Sequence, residues 1–148
     1  MTDTYHLNRF IAAQNKIYNN VINELTQGRK RTHWMWFIFP QLDGLAHSET
    51  AKKYAIKSAA EAHAYISHPI LGKRLIECSR LVLALNDKAA NEIFGHPDDL
   101  KFNSSMTLFK QVAKGNDLFK KVIDKYYSGH GCEFSQAKLS GQYSPDNI

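Results

Sequence analysis

A mainly helical, compact single domain of about six or seven helices around a central aromatic segment is what this chain of 148 residues predicts. Three observations carry that expectation. Apolar residues recur at intervals of three and four along most of the chain; most of these stripes are bounded by a capping residue, Gly or Pro; and the one segment with strand character, residues 33–42, has no strand-like partner. With 43% hydrophobic and 22% charged residues, one core can form without staples. Residues 1–148 read as a single domain, ordered over about 3–130, with 140–148 a loosely held tail.

The first helix is expected over about 6–26, where Leu7, Phe10, Ile11, Gln14, Ile17, Tyr18, Val21, Ile22 and Leu25 share one stripe. Asp3 or Thr4 can cap its start, and Gly28 can end it in a left-handed conformation. The aromatic run His33-Trp34-Met35-Trp36-Phe37-Ile38-Phe39-Pro40-Gln41-Leu42 follows, holding both tryptophans of the chain. A buried helical turn or an extended core segment both suit it, and Pro40 limits its continuation as helix. Tryptophans two residues apart point different ways, so one can enter the core while the other lines a surface or cleft.

Ser48 can cap a short helix to about Ile56. Ser58 and Glu61 form a capping box for the next, in which hydroxyl and carboxylate satisfy orphan amides. His68 before Pro69 ends that helix, and Pro69 suits the first turn of a long one reaching about Leu85, with Gly72 and Ser79 as points of close approach. Asp87 can cap a short helix over 89–94; Pro97, Asp98 and Asp99 open another that ends at Gly115; Asp117 begins the last. Beyond Gly129 the chain is rich in Gly, Ser and Gln, with few aliphatics.

Composition narrows the function classes. The formal charge is +5, and the excess is N-terminal: residues 1–74 carry 10 Lys or Arg against 5 Asp or Glu, residues 75–148 carry 9 against 9. The run Arg29-Lys30-Arg31 beside the tryptophans could face phosphates or could be a solvated helix end. Cys78 and Cys132 read as free thiols of a cytoplasmic protein, no apolar run is long enough to span a bilayer, and no signal peptide is evident. His63, His68 and His130-x-Cys132 do not assemble a zinc-like set, so no metal is expected, nor any cofactor.

Two candidates for acid–base chemistry stand out: His33 beside the tryptophans and Glu61, which a helix cap also explains. A ligand-binding set is formed by Trp34, Trp36 and Gln41 together with Lys101, Ser104, Ser105 and Thr107. The three hydroxyls are poor helix formers in mid-helix and need a use, and Lys101 one turn earlier adds a cation. The aromatic run and the Lys101–Thr107 stretch are therefore expected to face each other across a cleft.

Several of these motifs resemble one known family. The run 33–41, the stretch Glu61-Ala62-x-Ala64-Tyr65-x-x-His68-Pro69-x-Leu71-Gly72-x-Arg74-Leu75, and Ile93-Phe94-Gly95-x-x-Asp98-Asp99-x-Lys101-x-x-Ser104-Ser105-Met106-Thr107-Leu108-Phe109 are together similar to the bacterial domain-of-unknown-function family 1810. Arg9-Phe10-x-x-Ala13-Gln14 belongs to the same pattern, and the resemblance spans about residues 3–130. It implies a small, mainly helical protein of uncharacterised activity. Members often carry the name calpastatin; nothing in this chain supports protease inhibition.

A weaker likeness concerns two helices. Residues 10–20 and 106–129, with the pairs Leu108-Phe109 and Leu118-Phe119, resemble part of the NADAR superfamily, whose members cleave N-glycosidic bonds in nucleotide-like or ADP-ribosylated substrates. The chain departs from that pattern at Asn15, where the superfamily has lysine, at Asn8, where it has glutamate, and around Gly129-His130-Gly131, where its Gly-Asp-Gly is missing. The resemblance implies a small-molecule site for a nucleotide-like or ADP-ribose-like ligand, with N-glycoside hydrolysis as the associated reaction. The competing expectation is a non-catalytic module binding RNA or protein through residues 29–41.

Overall fold

The computed structural model describes residues 3–143 and is helical throughout, with no strands among them. In chain order the helices are α1 (Asn8–Asn15), α2 (Tyr18–Gln27), α3 (Met35–Ile38), α4 (Glu49–Tyr54), α5 (Ala59–Ser67), α6 (Leu71–Ala84), α7 (Ala90–Phe94), α8 (Asp98–Val112), α9 (Leu118–Tyr127) and α10 (Glu133–Tyr143). Among the described residues the only pairing of extended backbone is one isolated parallel bridge, between Leu42 and Ile56.

Among the described residues ten helices stand where about six or seven are expected, for three reasons. The first stripe is not one helix. Ile17 leaves the helical region at φ −135°, and its N–H turns back to the Gln14 carbonyl. The break frees each half to follow its own neighbour, α1 against α3 and α2 against α6. The aromatic run contributes one helical turn, α3. The third addition, α10, lies in the stretch whose composition gave no helical signal. It occupies 133–143; of the stretch 140–148 expected as a loose tail, 144–148 lie outside the described residues.

Most capping expectations hold. Ser48 accepts from Ala51 N–H, Ser58 from Glu61 N–H, and Gly28 ends α2 at φ +79°. The carboxylate arm of the capping box lands one residue early, with Glu61 Oε1 accepting from Lys57 N–H at 3.1 Å. Asp87 does not cap α7. It sits at φ +59°, and the Ala89 amide is instead held by Glu92 Oε1 at 2.9 Å. Gly72 is required for close approach: a Cβ there would lie 2.0 Å from the Ile66 carbonyl oxygen.

The aromatic run is central, as its composition demands. Phe39 is fully buried, with its ring edge-on to Phe102 at 4.8 Å and to Phe94 at 6.1 Å, while Phe94 stacks on Phe102 at 4.5 Å. Around α3 stand α1, α4, α6 and α8, and α9 closes the far side against α6 and α8. The two tryptophans do diverge. Trp34 is buried; Trp36 is half-exposed.

Burying Trp34 requires a partner for its indole N–H, and Glu24 supplies it at 3.0 Å. The same carboxylate accepts from Arg31 N–H at 2.6 Å, Thr32 N–H at 3.0 Å and the Thr32 hydroxyl at 2.7 Å. Burial alone would raise its pKa. The hydrogen bonds from Arg31, Thr32 and Trp34 outweigh that cost and hold the carboxyl down to about 2.

Two stability predictions follow from this core. Phe39→Ala is expected to cost roughly 3–5 kcal/mol in chemical unfolding, through lost burial and a cavity, and Trp36→Ala clearly less; equal losses would place both rings in the core. A carboxylate with a lowered pKa contributes stability that is present above its ordinary value of 4.5 and is lost as pH falls from there to about 2. Glu24→Gln should therefore cost up to about 3 kcal/mol near pH 7, and the gap to the parent should narrow across that acid window. A gap that stayed constant from pH 6 to pH 2.5 would show that the charge contributes nothing.

Candidate functional site

The aromatic run and α8 do approach each other, at one point. Lys101 Nζ lies 4.2 Å from the centroid of the Trp36 ring. The cation is already engaged there, since Lys101 pairs with Asp98 at 3.2 Å, and Asp98 also pairs with Lys30 at 2.9 Å. Lys30 in turn sits 5.3 Å from the Trp34 ring. Burial opposes the charge of Asp98, but its contacts with Lys30 and then Lys101 win, and its carboxyl is held below the usual range. Two lysines and one aspartate thus form a cross-brace between the run and α8.

The hollow beside Trp36 and Gln41 is lined by residues 42–46 and by Ala51, Tyr54 and Ala55 and holds about 10 Å³, room for a single water. None of its walls belongs to α8. Gln41 is buried, and its Nε2 has no partner among the described residues. His33 is exposed on the loop before α3.

The hydroxyls of α8 are turned toward the C-terminal segment. Ser104 Oγ has one hydrogen within reach of two acceptors, the Leu100 carbonyl at 3.1 Å and Cys132 Sγ at 3.3 Å; Thr107 Oγ1 donates to Asn103 Oδ1 and accepts from Cys132 N–H at 2.8 Å. Ser105 is fully buried and its hydroxyl is unpartnered among the described residues. Ser104 and Thr107, expected to meet a ligand, meet the turn leading into α10. This seam gives Cys132 an unusual environment. Burial would raise its thiol pKa, but the Ser104 and Ser135 hydroxyls and the amides of Ser135 and Phe134 lower it below its ordinary value. Cys78, buried in α6, is pushed up to about 12, chiefly by burial.

A much larger hollow lies elsewhere, around the residue that Glu61 holds. Arg9, in the first turn of α1, donates Nε to the Lys53 carbonyl (2.7 Å), Nη1 to the carbonyls of Tyr5 (2.7 Å) and His6 (2.9 Å), and Nη2 to the Ala55 carbonyl (3.0 Å). Its Nη2 also meets Glu61 Oε2 at 2.7 Å. This knot ties the N-terminal segment, the end of α4 and the start of α5 together. Over it opens a groove of about 630 Å³ whose rim carries His6, Lys52, Lys53, Lys57 and Ser58. None of the three lysines has a carboxylate partner among the described residues.

Of the sequence-derived candidates, then, the structure gathers Trp34, Trp36 and Lys101 at the cross-brace, places Ser104 and Thr107 at the α10 seam, and puts Glu61 at the base of the groove. No sequence motif marks the lysines at 52, 53 and 57, and Arg9 stands out only within the family pattern; their signal is the N-terminal charge excess, which residues 29–31 only partly explain. Among the described residues no group of three His, Cys, Asp or Glu could hold a metal ion, and no helix is long and apolar enough to cross a membrane.

Comparison with known proteins gives the following. A family model described as "Protein of unknown function (DUF1810)" matches residues 4–139. The crystal structure of the conserved hypothetical protein Rv1873 from Mycobacterium tuberculosis is similar over 93% of this chain and 99% of that one, at 48% identity and a TM-score of 0.92. No curated protein matches.

The thiol environments make one prediction. In the native protein at pH 7, Cys132 should be alkylated by iodoacetamide well before Cys78, and Ser104→Ala should slow that reaction and move its pH midpoint upward. Equal rates at both thiols, read by mass spectrometry, would show that the α10 seam does not activate Cys132.

Proposed function

The chain belongs to the DUF1810 family of proteins of unknown function, and from its basic groove we propose that it binds a phosphate-bearing, nucleotide-like small molecule. The observation that carries this is the convergence of Lys52, Lys53 and Lys57, free of carboxylate partners among the described residues, on one cavity of about 630 Å³. A volume of that size suits a ligand of nucleotide dimensions. A concave surface of one charge sign concentrates field and favours an anion. The NADAR likeness points to the same ligand class.

The groove supports capture of a ligand rather than cleavage of an N-glycosidic bond. Glycoside chemistry needs a carboxylate free to stabilise positive charge or to move a proton. Both oxygens of Glu61 are already engaged, one by Arg9 and the other by Lys57 N–H. Its role is to fix the wall. The stretch 29–41 offers less to RNA or protein than its sequence suggests, because Lys30 is committed to Asp98 and Arg31 Nη1 to Gln27.

Calorimetric titration tests the proposal. AMP and ADP-ribose should bind more tightly than adenosine, which lacks the phosphate. The triple variant Lys52→Ala, Lys53→Ala, Lys57→Ala should lose about tenfold in AMP affinity, at roughly 0.5 kcal/mol for each exposed charge contact, with its melting temperature nearly unchanged. Equal binding of AMP to parent and triple variant would remove the groove from the reading.

A further inference from the structure

We infer that the occupant of this face is a single-stranded nucleic acid segment of two or three nucleotides lying across Tyr5, an inference that rests on the phosphate reading of the lysine groove. Tyr5 lines three hollows, not one. Beside the lysine groove is a second of about 480 Å³ reaching Asn8, Ile11 and His68, and beyond it a third of about 700 Å³ reaching Ala60, His63, Gln111 and Lys114. The first two share Thr4 and Tyr5, and the last two share Tyr5 and Ala64. They join around one half-buried aromatic ring.

Charge is distributed along this surface in a particular order. Lys52, Lys53 and Lys57 stand at one end and Lys114 at the other, and Lys114 also lacks a carboxylate partner among the described residues. The carboxylate of the middle hollow, Asp3, is exposed and accepts from the amides of Leu7 and Asn8. The surface runs from cations, through the Tyr5 ring with this one amide-bound carboxylate beside it, to a cation again. An ADP-ribose-like dinucleotide has the reverse order, with its phosphates central and its rings or sugars outside. A run of single strand has phosphates on both sides of each base and matches the order seen. Cationic tracks interrupted by aromatic platforms are how single strands are held without sequence preference.

Geometry sets the length. α5 and the link before it contribute to both ends, with Lys57 and Ser58 of the link and Glu61 of the helix on the first hollow, and Ala60, His63 and Ala64 of the helix on the third. At 100° per residue Glu61 lies on a different flank from the centre of the Ala60, His63 and Ala64 set, so the two hollows open on different sides of a helix about 10 Å across and call for a ligand longer than one phosphate. The platform between them is held firmly, since Arg9 Nη1 fixes the Tyr5 carbonyl at 2.7 Å and the chain turns at His6 with φ +55°.

Titration of the full chain with 5′-phosphorylated oligouridylates of one to four nucleotides tests this. Affinity should rise from one to three nucleotides and then level off. The salt dependence of log K should steepen by about 0.7 for each phosphate engaged. Tyr5→Ala should weaken the trinucleotide about tenfold while leaving the mononucleotide unchanged, and Tyr5→Phe, which keeps the ring, should retain trinucleotide binding. Lys114→Ala, at an exposed position, should likewise weaken only the longer ligands. If one and three nucleotides bind equally well, the strand inference is overturned and the small-molecule reading stands. If neither binds, the phosphate reading of the groove falls with it.

Discussion

The rest of the structure depends on the buried carboxylate of Glu24. Without acceptors for the Arg31 and Thr32 amides, the loop after α2 would have to stay in water. Without an acceptor for its indole N–H, Trp34 could not enter the core at modest cost. One side chain meets both needs. With the loop folded back and Trp34 sunk, the following turn has no freedom to choose which residues face inward. Met35, Ile38 and Phe39 go into the core, Trp36 faces Lys101, and Phe39 reaches the rings of Phe94 and Phe102.

A second anchor of the same kind shapes the candidate site. Arg9 spends its donors on four carbonyls and on Glu61, so a buried charge is paired and almost fully hydrogen-bonded. Such a pair adds little to stability beyond what apolar residues would, but removing one partner is costly, and the geometry it enforces is specific. Here that geometry is a concavity. Three backbone segments that would otherwise collapse together are held at the length of a guanidinium.

How much of this was legible depended on whether the determining interaction was local. Ser48, Ser58, Gly28 and the Pro-Asp-Asp opening of α8 act within a few residues, and the helices they bound were read from them. The depth of the aromatic run was legible as composition, since two tryptophans and two phenylalanines in seven residues can hardly be placed outside a core. Three features were not local. The break at Ile17 is set by what α1 and α2 separately pack against. Glu24 and Arg9 are single charged residues inside amphipathic stripes, with partners up to 52 positions away. The helix α10 has little apolar stripe of its own and is fixed by Leu139 in the core and by the hydroxyls of α8. For the same reason Ser104 and Thr107 were legible as residues needing a partner, while the identity of that partner was not.

The electrostatic consequence lies in which cations the fold consumes. Lys30 and Lys101 are drawn to Asp98, Arg9 to Glu61, and Arg74 to Gln14 and the Tyr18 ring. Lys125 is spent on the carbonyls of Leu83 and Leu85 at the end of α6, and Lys138 on the carbonyl of Asp43. These assignments are structural, and they take in most of the basic residues next to aromatic rings, where sequence alone would place a ligand. The chain nevertheless keeps a formal charge of +5. Three cations without a carboxylate partner among the described residues, one of them also over the Tyr54 ring, fall within six positions on the end of α4 and the link to α5, beside the groove over Arg9. A fold that only needed solubility would do as well with those charges scattered. Gathered beside a concave wall, they repel one another, and an anion bound there, as proposed, would relieve that repulsion.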